Sequence, residues 1–162
     1  MADGGDNVFV YLGGEQIVPQ DVTHVIIDRS IKIILSGAFY NRRELVSVES
    51  HEGIERIERD AFYLCRCLRK INLISVREVE REAFYNCTSL TDVEFGDKLE
   101  TIRDCAFNYC ESLQKIKMPS VRTIEYGAFA GCKLTVVEMH DVERIHDFAF
   151  VSCLALRRIA IP

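Results

Sequence analysis

The stretch IERIERDAFYLCRCLRKINL, residues 54–73, decides how the rest of the chain is read. Ile54 and Ile57 stand three apart, with Glu55 and Arg56 between them. Ala61, Phe62, Cys65 and Leu68 follow at i, i+1, i+4 and i+7, the spacing of one face of a short helix. Leu68, Ile71 and Leu73 then form an L-x-x-I-x-L run, whose Ile71 and Leu73 alternate as in a strand resting on a core.

The pattern returns along the whole chain. Ala-Phe occurs six times, at 38–39, 61–62, 83–84, 106–107, 128–129 and 149–150, with spacings of 23, 22, 23, 22 and 21 residues. An apolar residue precedes each Phe by five: Ile34, Ile57, Val79, Ile102, Ile124 and Ile145. Another precedes it by eight: Ile31, Ile54, Val76, Leu99, Val121 and Val142. Cysteine follows three later in five copies, as Cys65, Cys87, Cys110, Cys132 and Cys153. A fixed period of this length is the mark of a solenoid, in which each unit buries its apolar face only against its neighbours. The expected fold class is therefore an α/β repeat solenoid. The strand runs stack side by side as a parallel sheet on one side, and short helices or turns return the chain on the other.

Residues 1–30 differ. Val8–Leu12 is apolar and β-prone, Gly13-Gly14 is a turn signal, and Ile17-Val18 resumes, which together predict a hairpin. Val22, Val25 and Ile27 repeat the strand spacing without an Ala-Phe half. Residues 1–30 thus read as an N-terminal cap, a hairpin plus half a repeat, and residues 31–162 as about six repeats of 21–23 residues with no C-terminal cap.

At 162 residues the chain is one domain by length, and 48% apolar content is enough to bury a core. No apolar run approaches the roughly 18 residues of a membrane span. The start lacks the basic-then-apolar pattern of a signal peptide. The net charge of −5 is concentrated early, because residues 1–30 carry five carboxylates against Arg29 alone. The near-neutral remainder has no electrostatic footprint for nucleic acid. Five of the seven cysteines share one repeat position and read as a column of buried free thiols acting as small hydrophobes, which points to a reducing, intracellular and most simply cytoplasmic setting.

The combined pattern I-x-x-I-x-x-x-AF-x-x-C-x-x-L-x-x-I-x-L, with copies such as 54–73 and VRTIEYGAFAGCKLTVVEM at 121–139, resembles the BspA-like, or Treponema-type, leucine-rich repeats. The resemblance spans roughly residues 22–162. It implies a right-handed leucine-rich-repeat superhelix that mediates adhesion and protein–protein contact and is not an enzyme. Arg42 stands where the first cysteine of the pattern belongs, and the fifth unit is one residue short after Cys132.

No catalytic constellation emerges. His51 and His140 lie just past corresponding strands three units apart, Cys65 and Cys67 lack a completing ligand, and no triad or phosphate loop is present. No metal or cofactor is expected. Glu55, Arg77, Glu100, Arg122 and Glu143 alternate in sign at one repeat position and read as a register-fixing ladder. The candidate partner-binding surface is the outward side of the strands, in two columns: Ser47, Lys70, Asp92, Lys115, Val136, Arg158 and Glu49, Asn72, Glu94, Lys117, Glu138, Ala160. A second candidate is an aromatic stripe of Tyr40, Tyr63 and Tyr85. A third is the last apolar row, Leu156, Ile159 and Ile161, which faces an open end before Pro162 and offers a contact for self-association or continuation. The functional expectation is a non-catalytic protein-interaction module. The alternative is a structural subunit held in a larger assembly through that end.

Overall fold

The computed structural model describes residues 6–161; Pro162 lies outside them. The chain winds as a parallel β-solenoid whose six full coils each contribute a front strand, a back strand and a run of turns, with one further front strand at either end. The front strands are β1 (Val8–Tyr11), β2 (His24–Ile27), β4 (Ser47–Glu49), β6 (Lys70–Leu73), β8 (Asp92–Phe95), β10 (Lys115–Met118), β12 (Val136–Met139) and β14 (Arg158–Ala160). Two-residue back strands alternate with them: β3 (Ile33–Ile34), β5 (Arg56–Ile57), β7 (Glu78–Val79), β9 (Thr101–Ile102), β11 (Thr123–Ile124) and β13 (Arg144–Ile145). The back strands form one continuous parallel sheet of six. The front strands form two, β1-β2-β4-β6-β8 and β10-β12-β14.

The core follows the sequence columns. Phe39, Phe62, Phe84, Phe107 and Phe129 are fully buried, as are Leu45, Leu68, Leu90, Leu113 and Leu134. The Phe rings stack nearly parallel, with centroids 4.9–5.0 Å apart from Phe39 to Phe107, then 5.3 Å to Phe129 and 5.5 Å to Phe150. That spacing is the strand spacing of about 4.8 Å, so one ring per coil fills the interior without a gap.

The short helices expected over the Ala-Phe segments are absent among the described residues. Their backbone N–H groups alternate between two destinations instead. Ala38, Tyr40 and Arg42 donate three residues back, to Leu35, Gly37 and Phe39. Gly37, Phe39 and Asn41 donate to Arg59, Ala61 and Tyr63 of the next coil, at 3.0, 2.8 and 2.7 Å. The scheme recurs: Asp60, Phe62 and Leu64 donate to Arg81, Ala83 and Tyr85. It requires a left-handed backbone just before each Ala and two residues after each Phe, as in Gly37 and Asn41, Asp60 and Leu64, or Gly127 and Gly131. A left-handed residue every few positions forbids an α-helix. Linked turns also bring a side chain inward every three or four residues, so the apolar spacing is the same for both structures.

The N-terminal hairpin is also corrected. Gly13 and Gly14 do make a turn, with φ of 77° and 65°. The chain beyond it forms no strand until β2. β1 instead pairs parallel with β2, Val8 opposite His24 through Tyr11 opposite Ile27. This adds one more coil to the ladder and sets the Tyr11 ring over Phe39 at 5.0 Å. An antiparallel partner would leave the exposed edge of β2 without the register that its neighbours share.

Candidate functional site

Parallel register places the outward front-strand side chains in the two columns read from the sequence. Ser47 lies beside Lys70, Lys70 beside Asp92 and Asn72 beside Glu94. Further along, Lys115 lies beside Val136 and Val136 beside Arg158, while Lys117, Glu138 and Ala160 are in register. Glu49, Lys70, Asp92, Glu94, Lys115, Lys117 and Arg158 are exposed, and Ser47, Asn72, Val136 and Glu138 are half-buried. Lys70 Nζ reaches Asp92 Oδ2 at 3.6 Å.

Between β8 and β10 this face is interrupted. No pairing joins the two strands, and a groove of about 650 Å³ runs over the face here, lined by Asp92, Glu94 and Phe95, by Lys115, Lys117 and Pro119, and by Val136 and Glu138 of β12. Sequence reasoning found the flanking columns but missed the opening. Its signals were Phe95, the largest residue at its position, and the extra residue of the Gly96–Asp97–Lys98 corner. Gly96 is needed at that corner, because a Cβ there would lie 1.7 Å from Ile74 O.

The aromatic stripe forms as a stack. Tyr40 and Tyr63 lie 5.0 Å apart at 4°, Tyr63 and Tyr85 4.9 Å apart at 7°, and Tyr109 closes the row edge-on at 6.1 Å. Each ring is partly covered by the next, which makes the stripe a coil-to-coil contact with one exposed rim. The last apolar row is open: Leu156 is half-buried, while Ile159 and Ile161 are 43% and 52% exposed. Their counterparts Val137 and Met139 are fully buried.

The charged column pairs two by two, Lys32 with Glu55 at 3.9 Å, Arg77 with Glu100 at 4.0 Å and Arg122 with Glu143 at 3.5 Å. Such exposed pairs contribute about 0–1 kcal/mol each, so the column aligns coils more than it holds them. A second ladder was not read from the sequence: Arg56 bridges Glu58 and Glu80, and Arg103 bridges Glu78 and Glu125. His51 Nε2 is 2.9 Å from Asp28 O and ties two corners together. Among the described residues, no three His, Cys, Asp or Glu side chains converge to hold a metal ion, and no helix is long and apolar enough to cross a membrane.

The cysteine column is buried and unbridged. Each Sγ–H donates to the Phe carbonyl of the preceding coil: Cys65 to Phe39, Cys87 to Phe62, Cys110 to Phe84, Cys132 to Phe107 and Cys153 to Phe129, at 3.0–3.3 Å. Burial pushes the Cys65 thiol up to about 12 and the Cys153 thiol to about 11. In the first coil Arg42 takes the place, with Nε donating to Val18 O at 2.9 Å and Nη1 to Tyr40 O at 2.7 Å.

Comparison with known proteins agrees with this geometry. The BspA type leucine rich repeat region, in six copies, matches residues 19–120 and 77–162. No curated protein matches the chain. Among solved structures, a leucine rich cell surface protein from Faecalibacterium prausnitzii is 36% identical with a TM-score of 0.81 over 86% of this chain. The T. pallidum leucine rich repeat protein is 27% identical with a TM-score of 0.78 over 95% of it. A leucine-rich repeat protein from Eubacterium ventriosum, at 21% identity and a TM-score of 0.68, shares the fold. The chain spans 39% of the Faecalibacterium protein and 74% of the T. pallidum one.

Proposed function

The chain belongs to the BspA-type leucine-rich repeat family, and from that premise we propose that it is a non-catalytic protein-interaction module that holds a protein partner on the outward face of its front strands. One contrast carries this reading. Inward positions stay apolar in nearly every coil, whereas the outward columns run through Ser, Lys, Asp, Val, Arg and Glu on a rigid, regularly spaced frame. A partner matched to such a surface meets side chains fixed at about 4.8 Å in one direction and about 6.6 Å in the other. The unbridged cysteine column suits a reducing, intracellular compartment.

The test is affinity capture from the native source with mass spectrometry, using three forms of the chain. Wild type should enrich a partner that Lys70→Glu with Lys115→Glu loses. Tyr40→Ala with Tyr63→Ala, on the turn side, should retain it. Equal enrichment by all three forms contradicts the front-face assignment.

A second reading, assembly through the last coil, is favoured by the exposure of Ile159 and Ile161. It predicts concentration-dependent light scattering of the 162-residue chain that Ile159→Lys with Ile161→Glu abolishes. A monomer at all concentrations, unaltered by the substitutions, removes this reading.

A further inference from the structure

Every neighbouring pair of front strands is joined by parallel bonds except β8 and β10. At the strand starts, Arg69 O accepts from Thr91 and Asp92, and Gln114 O accepts from Thr135 and Val136, while Thr91 O accepts from neither Gln114 nor Lys115. Behind the break the same coils remain joined. Thr101 and Ile102 of β9 pair with Thr123 and Ile124 of β11, and Phe107 and Phe129, the rings that follow them, stay stacked at 5.3 Å. The opening is confined to the front.

Its causes are local. Phe95 occupies a position held by Ile27, Leu73, Met118 and Met139 in other coils, and its ring stands edge-on to Phe107 at 5.6 Å and 77°. The unit also carries the extra corner residue. The other 23-residue unit, with the corner Ser50–His51–Glu52–Gly53, is followed by a front pairing reduced to Ser47 with Lys70. A longer corner thus goes with a loosened front junction in both cases.

Three features meet at the break. Two strands of four residues turn edges toward each other with no ladder between them. The apolar floor is buried but less tightly covered than in the coil before: Val93 and Phe95 are each 9% exposed, against 2% and 1% for Ile71 and Leu73. The charges are separated, with Asp92 and Glu94 on one lip and Lys115 and Lys117 on the other. Among the described residues Glu94, Lys115 and Lys117 have no ion-pair partner. Facing edges that repeat donors and acceptors at strand spacing are matched by another backbone and not by a compact small molecule.

Resting on the front-face reading, we infer that the β8–β10 gap is a slot for an extended peptide segment of the partner protein. That segment is about as long as the four-residue lips, with apolar side chains turned to Val93 and Phe95 and alternating basic and acidic side chains turned outward. Main-chain pairing to the lips supplies affinity, and the two charged lips supply selectivity. A full strand between β8 and β10 sets them about 9.6 Å apart, two strand spacings, so binding widens the front while the back sheet keeps its pairs.

The probe is the blocked peptide acetyl-Thr-Lys-Val-Glu-Val-Thr-amide, titrated into the whole 162-residue chain and followed by amide NMR and hydrogen exchange. Saturable shifts confined to residues 91–95 and 114–118 are expected, with exchange there slowed about tenfold or more on binding. The same peptide N-methylated at both Val residues should bind at least about tenfold more weakly, because it lacks the donors. Equal binding of the methylated peptide, or no saturable binding at millimolar peptide, overturns the slot. So does a free chain in which the gap-facing amides of β8 and β10 exchange as slowly as those of β6 and β12. Glu94→Lys with Lys117→Glu separates the slot from the broader reading. Loss of the native partner with this variant, where the wild-type chain does not bind the peptide, leaves the front face standing and removes the slot.

Discussion

A thiol suits its position in the coil for two reasons. It is small enough to stack in its own buried column, and it donates to the Phe carbonyl of the coil before. Burial keeps it protonated, and at Cys65 it outweighs the opposing pull of Arg42. Native-state titration with a thiol reagent should therefore find Cys67, which is exposed, at once and Cys105, which is half-buried, more slowly. The remaining five should react only on unfolding, and fast labelling of more than two of the seven cysteines would contradict the column. The same burial ties stability to pH. The Cys65 thiol sits at about 12 in the folded chain against an ordinary 9.0. Below about pH 9 neither state loses the proton and the contribution is intact. Above it the unfolded chain deprotonates first, and stability falls as pH rises toward about 12, by up to about 1.4 kcal/mol per pH unit for each such thiol. Urea midpoints at about pH 8 and about pH 10 should differ in that direction, and less so in Cys65→Ala. The cysteine column was legible in the sequence; its donation to carbonyls was not, since spacing carries no information on where a carbonyl points.

At the scale of elements, the Phe stack and the turn runs are one device: each run hydrogen-bonds to the next coil while its Phe closes the interior. Phe107 is fully buried, stacked between Phe84 and Phe129 and met edge-on by Phe95. Phe107→Ala should cost about 3–5 kcal/mol, the lost transfer energy plus the cavity. Tyr126 is 51% exposed and touches Phe148 at its edge, so Tyr126→Ala should cost well under half as much. Equal shifts in the urea midpoint would sink the core assignment. The inward residues of every element were legible, because burial imposes residue type directly. The kind of element was less so. Ala61, Phe62, Cys65 and Leu68 fit a helix face, and only the left-handed residues Asp60 and Leu64 separate turns from helix. Neither is the glycine that would have announced such a backbone. Likewise Gly13-Gly14 signalled a true turn, but the partner of Val8–Tyr11 was settled by an edge that no local pattern displays.

For the whole molecule, the regular columns announce a solenoid, and a solenoid couples its coils only through nearest neighbours. The molecule is then as cooperative as its weakest junction. The β8–β10 junction lacks the front ladder, though it retains the back strands, the turn bonds and the Phe stack. From there on the Phe spacing is 5.3 and 5.5 Å, and the last coil exposes 42% of Ile145 and 58% of Phe148. The front strands from Lys115 onward thus form a block that ends in a poorly covered coil and has fewer bonds to the block before it. Such a region opens on its own below the global unfolding free energy. Native-state hydrogen exchange under increasing urea should resolve two opening events, the lower one shared by amides of β12 and β14 and the higher by those of β2, β6 and β8. The probe peptide, by supplying the missing ladder, should raise the lower event and leave the higher one in place. A single opening free energy across both blocks would mean that the back sheet and Phe stack alone carry full coupling through the break.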